Sequence, residues 1–287
     1  IAGSPRRHRT TRGYGSLSNG RHRGLPFIRH TLCEMEPIQR LEQEYRVRFD
    51  EAGADGWLRP SGLLRYAQDM AWRHSEAVGF DRAWYAERGM NWLVRNVKVQ
   101  IETPLTYGDM LSVSTQVIGW RHVWARRRSE VVRIGSSAGA TEPELTATVE
   151  TDWVLLTMSG RPAKVPEHFA RRFSPDVSFT RDRVVLPEPV GPVTTLSTRV
   201  RPQDVDPLRH MNNAAYLDMV DDGLSRLPDG WRLEAPHCYR VGYVWPALPG
   251  TPIDIACWPV SETQAACRIS DGDGHELTKV LASRRNG

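Results

Sequence analysis

The chain has 287 residues, 40% of them hydrophobic and 25% charged, the balance of a globular protein rather than a fibrous or disordered one. No apolar run approaches the ~20 residues that a membrane-spanning helix requires. The formal charge of +4 is local, because residues 1–34 hold seven arginines against the single acid Glu34, which leaves −2 for the remainder and no general attraction to nucleic acid.

Residues 1–39 lack periodicity, are rich in Gly, Ser and Arg, and read as a disordered basic leader. Two origins stay open for it: an extension upstream of a natural start at Met35, or an organelle transit peptide. The four cysteines, Cys33, Cys238, Cys257 and Cys267, form no CxxC pair and no metal-like spacing with histidine. Reduced, mostly buried thiols and a cytoplasmic location are expected.

In chain order, YRVRF from Tyr45 is predicted as a short strand, followed by the polar turn DEAGADG. RPSGLLRYAQDMAWRHSEAVGF then places Leu63, Ala67, Met70, His74 and Ala77 at spacings of four and three, one face of a helix with Ser61 as cap and Gly79 as stop. NVKVQIE alternates Val97, Val99 and Ile101 with polar neighbours, PLTYGD turns, and MLSVSTQV alternates again through Leu111, Val113 and Thr115. RHVWARRRSEVVRI and LTATVETDWVLLTM supply two more strands. Residues 160–193 carry six prolines and read as a surface linker.

The second half repeats this order. LSTRVRP is a strand, QDVDPLRHMNN a polar turn, and AAYLDMVDDGLSRL a helix that aligns Leu217, Val220, Leu224 and Leu227, with Asn213 as cap and Pro228 as stop. Pro104, Gly108, Leu111 and Val113 then match Pro246, Gly250, Ile253 and Ile255 at a constant offset of 142 residues. TQAACRIS and HELTKVLAS supply the last strands. A helix striped on one face buries that stripe only against a sheet that curves around it. Each half is therefore expected to be an α+β unit, residues 40–159 and 194–285, joined by the linker.

The motif D-x-D-x-x-x-H-x-N-N-x-x-Y (Asp204, Asp206, His210, Asn212, Asn213, Tyr216) opens the second helix. On this duplicated pattern it resembles the hotdog-fold thioesterases, and the tandem arrangement resembles the acyl-ACP thioesterase family. The resemblance covers residues 40–285. It implies two tandem hotdog domains, each a long central helix wrapped by an antiparallel sheet, with the acyl pocket shaped by the first and the catalytic motif held by the second. Two positions depart from plant-type members. Those carry an asparagine where this chain has Leu208, and a catalytic glutamate beside a cysteine early in the following strands, whereas residues 239–251 hold neither. What remains is His210 with Asp206, which stands where hydroxybenzoyl-CoA-type hotdog thioesterases, a related family, place a catalytic carboxylate.

Thioester hydrolysis passes through an oxyanion and expels a good leaving group, so it needs a place for the negative oxygen and a base or nucleophile more than an acid. A helix N-terminus offers the first. Asp206 would activate water or attack directly, and His210 would orient water or substrate. Both are expected to be catalytic, with Asn212 and Asn213 binding substrate and no cofactor or metal required. The expected partner is an acyl carrier protein or coenzyme A thioester, with neither nucleic acid nor a membrane span, and a homodimer is left open. Asp204 reads as a turn or surface residue and His74 as a core histidine. Asp55 lacks a companion histidine and asparagines, so the first domain is expected to be inactive. Arg121, Arg126, Arg127, Arg128 and Arg133 form a basic stretch that would either dock an acidic carrier or coenzyme phosphates, or be an exposed strand face. Two rival functions remain: an acyl-thioester-binding protein with a degenerate site, and a dehydratase acting on 3-hydroxyacyl chains, for which no paired acid and histidine is found outside the turn.

Overall fold

The computed structural model describes residues 39–136, 139, 142–173, 183–228, 231 and 233–284, so the expected leader lies outside them except for Gln39. The elements are β1 (Arg40–Arg46), a 3-10 turn (Phe49–Glu51), α1 (Pro60–Ala77), α2 (Arg82–Glu87), β2 (Met90–Ile101), β3 (Met110–Arg121), β4 (Trp124–Gly135), β5 (Glu144–Thr157), α3 (Glu167–Arg172), β6 (Thr194–Arg199), a second 3-10 turn (Pro202–Asp204), α4 (Asn213–Ser225), β7 (His237–Tyr243), β8 (Pro252–Pro259), β9 (Gln264–Asp271) and β10 (Glu276–Arg284). The first strand begins five residues before YRVRF. Burial alternates along it, but Gln43 occupies an inward position between Leu41 and Tyr45, which hides the alternation in the sequence.

All ten strands join one antiparallel sheet in the order β1-β3-β4-β5-β2-β7-β10-β9-β8-β6. The order is the same from either end: the strand before each long helix takes the edge, and the strand after it lies at the centre. The halves meet where Lys98 of β2 pairs with Arg240 of β7, two residues that stand 142 apart. Asn96 and Gln100 have their own 142-offset counterparts in Cys238 and Gly242, and the four pair crosswise, Asn96 with Gly242 and Gln100 with Cys238. The repeat offset is thus the signature of a local two-fold through the middle of the sheet. Gly108 and Gly250, at φ +91° and +79°, turn the chain at equivalent places, and their amides donate to Val47 and Val200.

Both long helices contribute to one continuous core. Leu63, Leu64, Ala67 and Met70 of α1 lie in it with Leu217, Val220 and Leu224 of α4, over Val97, Val99, Val241 and Val280 of the central strands. Burying each such leucine or valine removes apolar surface worth ~1.5–3 kcal/mol. The helices also touch directly: Ser61 donates to Asp218 at 2.5 Å and Arg65 to the same carboxylate at 2.8 Å. Ser61 is therefore no cap. Arg59 precedes the helix and Pro60 opens it, a position where the missing N–H costs nothing.

The stretch between the halves is not a plain linker. It contains α3, whose Phe169 packs with Phe173, Phe80 and Leu155, and it seats Val184 and Leu186 against Trp258 and Ala266. Pro175 lies outside the described residues. The expectation of reduced thiols also fails for one pair: Cys257 of β8 stands opposite Cys267 of β9 and the two are joined as a disulfide. Strand register brings them together, which no local spacing reveals. Cys238 is buried and joins no disulfide among the described residues, and Cys33 lies outside the described residues. Among the described residues no helix is long and apolar enough to cross a membrane.

Candidate active site

The polar turn folds back on itself ahead of α4. Val205 and Met211 form an antiparallel bridge, the Asp206 amide donates to the His210 carbonyl at 2.9 Å, and the Arg209 amide donates to the Asp206 carbonyl at 2.8 Å. Arg209 takes φ +64° to close the loop. Inside it, Asp206 Oδ1 accepts the Leu208 amide at 2.8 Å, a short-range bond typical of aspartate in turns. Oδ2 has no protein donor among the described residues. Asp206 and His210 are both half-buried.

Asp204 does not sit on the surface as expected. It is buried, accepts the Arg201 amide at 2.9 Å and pairs bidentately with the Arg201 guanidinium at 2.8–2.9 Å. Burial pushes its carboxyl up, but the Arg201 bonds and charge outweigh this and hold it below the usual carboxylate range. Its role is to pin the turn beneath Asp206.

The caps are exchanged relative to expectation. Asn212 is the N-cap, its side-chain oxygen accepting the Ala214 amide at 2.9 Å, and Asn213 is the first helical residue. The reason is the turn itself: Asn212 is held extended because its amide donates to the Asp204 carbonyl at 2.7 Å. Ala214 and Ala215 thereby have acceptors, while the Asn213 N–H has none among the described residues. Tyr243 anchors this end by donating to the Asn213 carbonyl at 2.8 Å, and it stacks edge-on with Tyr216 at 5.5 Å. Burial, together with the nearby Asp206 charge, pushes the Tyr216 hydroxyl up to about 12, so it stays protonated.

Asp206, His210, Asn212 and Asn213 all line one cavity of about 700 Å³, within the range of small-molecule sites. The second half adds Tyr216 and Tyr243, and the first half supplies Ala71, Trp72 and Ser75 of α1, Tyr85 of α2, Trp92 and Arg95 of β2, and Val117, Ala125 and Arg127 of the next two strands. The structure therefore brings the four motif residues together and extends their crevice into the N-terminal half.

Several wall residues escaped the sequence reading. Arg95 sits at a bulge where the β2–β5 register shifts between Val94 and Asn96, and its guanidinium donates to the Val244 carbonyl at 2.8 Å. Bulges re-aim side chains beside active sites. A charged residue in the same phase as Val97 and Val99 was the available signal. The basic stretch, by contrast, is largely spent within the sheet. Arg126 clamps Asp152 at 2.6–2.9 Å, Arg128 lies near Glu130 and Glu150, and Arg133 pairs with Glu144. Arg127 points inward, with Nη1 2.7 Å from His74 Nδ1. His74 is fully buried, as a core histidine should be.

The first half builds the same turn from different residues. The Gly53 amide donates to the Trp57 carbonyl at 2.8 Å, and Ala52 bridges Leu58, just as Asp206 does to His210 and Val205 to Met211. Gly53 and Trp57 thus occupy the places of Asp206 and His210, and Arg59 that of Asn212. Asp55 accepts the Trp57 amide as an ordinary turn residue.

The known proteins to which this chain is similar include acyl-ACP thioesterases. Residues 39–173 match the model of the acyl-ACP thioesterase N-terminal domain. A chloroplastic palmitoyl-acyl carrier protein thioesterase from Gossypium hirsutum is 22% identical over 200 residues, covering 62% of this chain, and this chain spans less than half, 45%, of that relative. Two solved structures share the fold. The acyl-ACP thioesterase from Bacteroides thetaiotaomicron aligns with TM-score 0.70 and 16% identity over 87% of this chain and 99% of its own. The 12:0-ACP thioesterase from Umbellularia californica aligns with TM-score 0.70 and 18% identity over 86% and 97%.

Proposed function

From this likeness to acyl-ACP thioesterases, we propose that the chain is a thiolester hydrolase, releasing free fatty acid from an acyl thioester of acyl carrier protein or coenzyme A. In this reading it consists of two tandem hotdog domains, residues 40–159 and 194–285, joined by 160–193, the first supplying the acyl pocket and the second the reacting groups. The observation that carries the reading is the single cavity joining Asp206, His210 and the Asn213 amide to apolar walls in the first half.

The chemistry follows from these groups. The acyl chain lies along Trp72, Trp92 and Val117, with its thioester carbonyl at the start of α4. Asp206, through the oxygen not engaged by Leu208, takes a proton from water attacking the carbonyl carbon, or attacks that carbon itself to give an anhydride that water then opens. The oxyanion is received by the Asn213 N–H at the positive end of the α4 dipole. Collapse expels the thiolate, which needs little help from an acid. His210 orients the water or the thioester, and Asn212, as the cap, fixes the amide that receives the oxyanion.

One observation favours the second reading, an acyl-binding protein without turnover: Leu208, half-exposed at the mouth, stands where plant-type members carry an asparagine. Incubating the protein with acyl thioesters of both carriers and following free thiol separates the two. Thiol and free acid are expected in equal amounts, whereas tight binding with no thiol release would favour the binding protein.

A further inference from the structure

Arg127 is a buried cation for which the described residues supply no anion. It is 8% exposed, and among the described residues it forms no ion pair and only Nη1 has protein partners, His74 Nδ1 at 2.7 Å and Thr115 Oγ1 at 3.4 Å. Because a guanidinium can only donate, His74 must accept at Nδ1 and is therefore neutral there. Burial lowers the guanidinium to about 10, which leaves it charged at neutral pH. Nε and Nη2 keep their N–H groups without an acceptor among the described residues, and the side chain lines the cavity.

The other polar groups around it are already paired with one another. Trp92 Nε1 donates to the Tyr85 hydroxyl at 2.9 Å, that hydroxyl meets Ser75 Oγ at 3.2 Å, and Ser75 donates to the Phe80 carbonyl at 2.8 Å. Among the described residues, then, none of these groups is hydrogen-bonded to Nε or Nη2 of Arg127. Nor does the fold require an arginine there. The β3–β4 register pairs Val117 with Arg127. The equivalent β8–β9 register pairs Pro259 with Ala265, and that alanine is fully buried. At the position equivalent to His74, just past the end of α4, the second half has Leu227, also buried. The duplicated unit thus closes its core with alanine and leucine in one half and with arginine and histidine in the half that forms the acyl pocket.

We propose that the acyl group this cavity takes carries an oxygen acceptor on its distal part, a hydroxyl or a carboxylate, which Arg127 binds through Nε and Nη2. The preferred substrates are then oxygenated acyl thioesters rather than plain hydrocarbon ones. This deepens the thioesterase reading and rests on it for the orientation of the chain, but it concerns binding and not bond cleavage.

The test uses non-hydrolysable S-alkyl thioether analogues of acyl-CoA, with plain, ω-hydroxy and ω-carboxy chains in a series of matched lengths, and calorimetry on the full chain. A hydrogen bond to a charged donor is worth about tenfold or more in affinity. One oxygenated series should bind about tenfold tighter than its plain partner at the lengths that reach Arg127, and not at shorter ones; which series does so identifies the acceptor. Arg127→Met should bring the ratio to about one while plain chains bind as well or better. Plain chains binding as tightly at every length, a preference indifferent to length, or a preference that survives Arg127→Met would each overturn the proposal. The length dependence is read on the wild-type chain, so it decides the matter even where the variant fails to fold. Thiol release without tail preference would sink this inference and leave hydrolysis standing; tail preference without thiol release would do the reverse.

Discussion

Replacing Asp206 by Asn tests the reaction most sharply, because the structure says what else would change, and it is little. Asn keeps an oxygen to accept the Leu208 amide now held at 2.8 Å, a bond worth about 1 kcal/mol net. The backbone bonds between Asp206, Arg209 and His210 do not involve the side chain. The turn should therefore survive, with Tm within about 2 °C of the parent. What is lost is a carboxylate able to accept a proton or attack. General-base assistance is worth about 10²–10⁴ in rate, which is ~3–5.5 kcal/mol of barrier. Initial rates of thiol release, at saturating and subsaturating acyl thioester, should show that loss in kcat with KM nearly constant, since the role proposed for Asp206 is in the transition state rather than in chain binding. A variant within about threefold of the parent in kcat would remove Asp206 from the mechanism and return the site to a binding role.

Three further outcomes follow from the packing. Asn212→Ala removes the cap of α4 and should cost about 1 kcal/mol in denaturant unfolding; the same cost from Asn213→Ala would mean that the cap is misassigned. In Gly223→Ala the new Cβ would stand 2.7 Å from Cys257 Sγ and 3.1 Å from Ile255, so overpacking of about 1–3 kcal/mol should lower Tm by several degrees, and an unchanged Tm would contradict the close approach of α4 to β8. Burial raises Asp221 to about 7, against the opposing effect of the Tyr239 hydroxyl that donates to it at 2.5 Å. The folded state then holds a proton that the unfolded chain loses near pH 4, so stability from this group falls as pH rises between about 4 and 7. Asp221→Asn should accordingly unfold later than the parent at pH 8, by up to a few kcal/mol trimmed by the partial exposure of the carboxylate, with the gain fading by pH 4; a gain constant with pH would refute the assignment.

The elements were legible where one physical rule decided them. The stripe of Leu217, Val220, Leu224 and Leu227 is buried as its spacing requires, and Leu111, Val113 and Thr115 of β3 are fully buried, although Ser112 and Ser114 between them are buried too. Legibility failed where two rules competed. Asn212 and Asn213 are equally good caps by residue type, and only the tertiary bond from the Asn212 amide to Asp204 selects the first. Arg126, Arg127 and Arg128 look like one basic run, yet the burial pattern of β4 sends Arg127 inward with Ala125, Ser129 and Val131 and its two neighbours outward to Asp152 and Glu150. The phase was readable from Ala125 and Val131; that an arginine would follow it was not, because burying a cation defies the usual partition.

The duplication explains why the motif was visible and the cavity was not. A repeat makes every position comparable with its counterpart, and once the backbone bonds align the two turns, Asp206 and His210 stand out against Gly53 and Trp57, and Asn212 against Arg59. The cavity has no such counterpart. Its walls come from α1, α2 and β2 in one half and from the polar turn and Tyr243 in the other, and they converge only because β2 and β7 fuse the two sheets at Lys98 and Arg240. Each half has thus kept what the other lacks. The second has Asp206 and His210 and an alanine–leucine filling at Ala265 and Leu227, while the first has Gly53 and Trp57 in that turn and the His74–Arg127 pair. Divergence of that kind within one symmetric frame is what the proposed reading asks of a pocket shared by two halves: one end would meet a thioester and the other the tail of its chain.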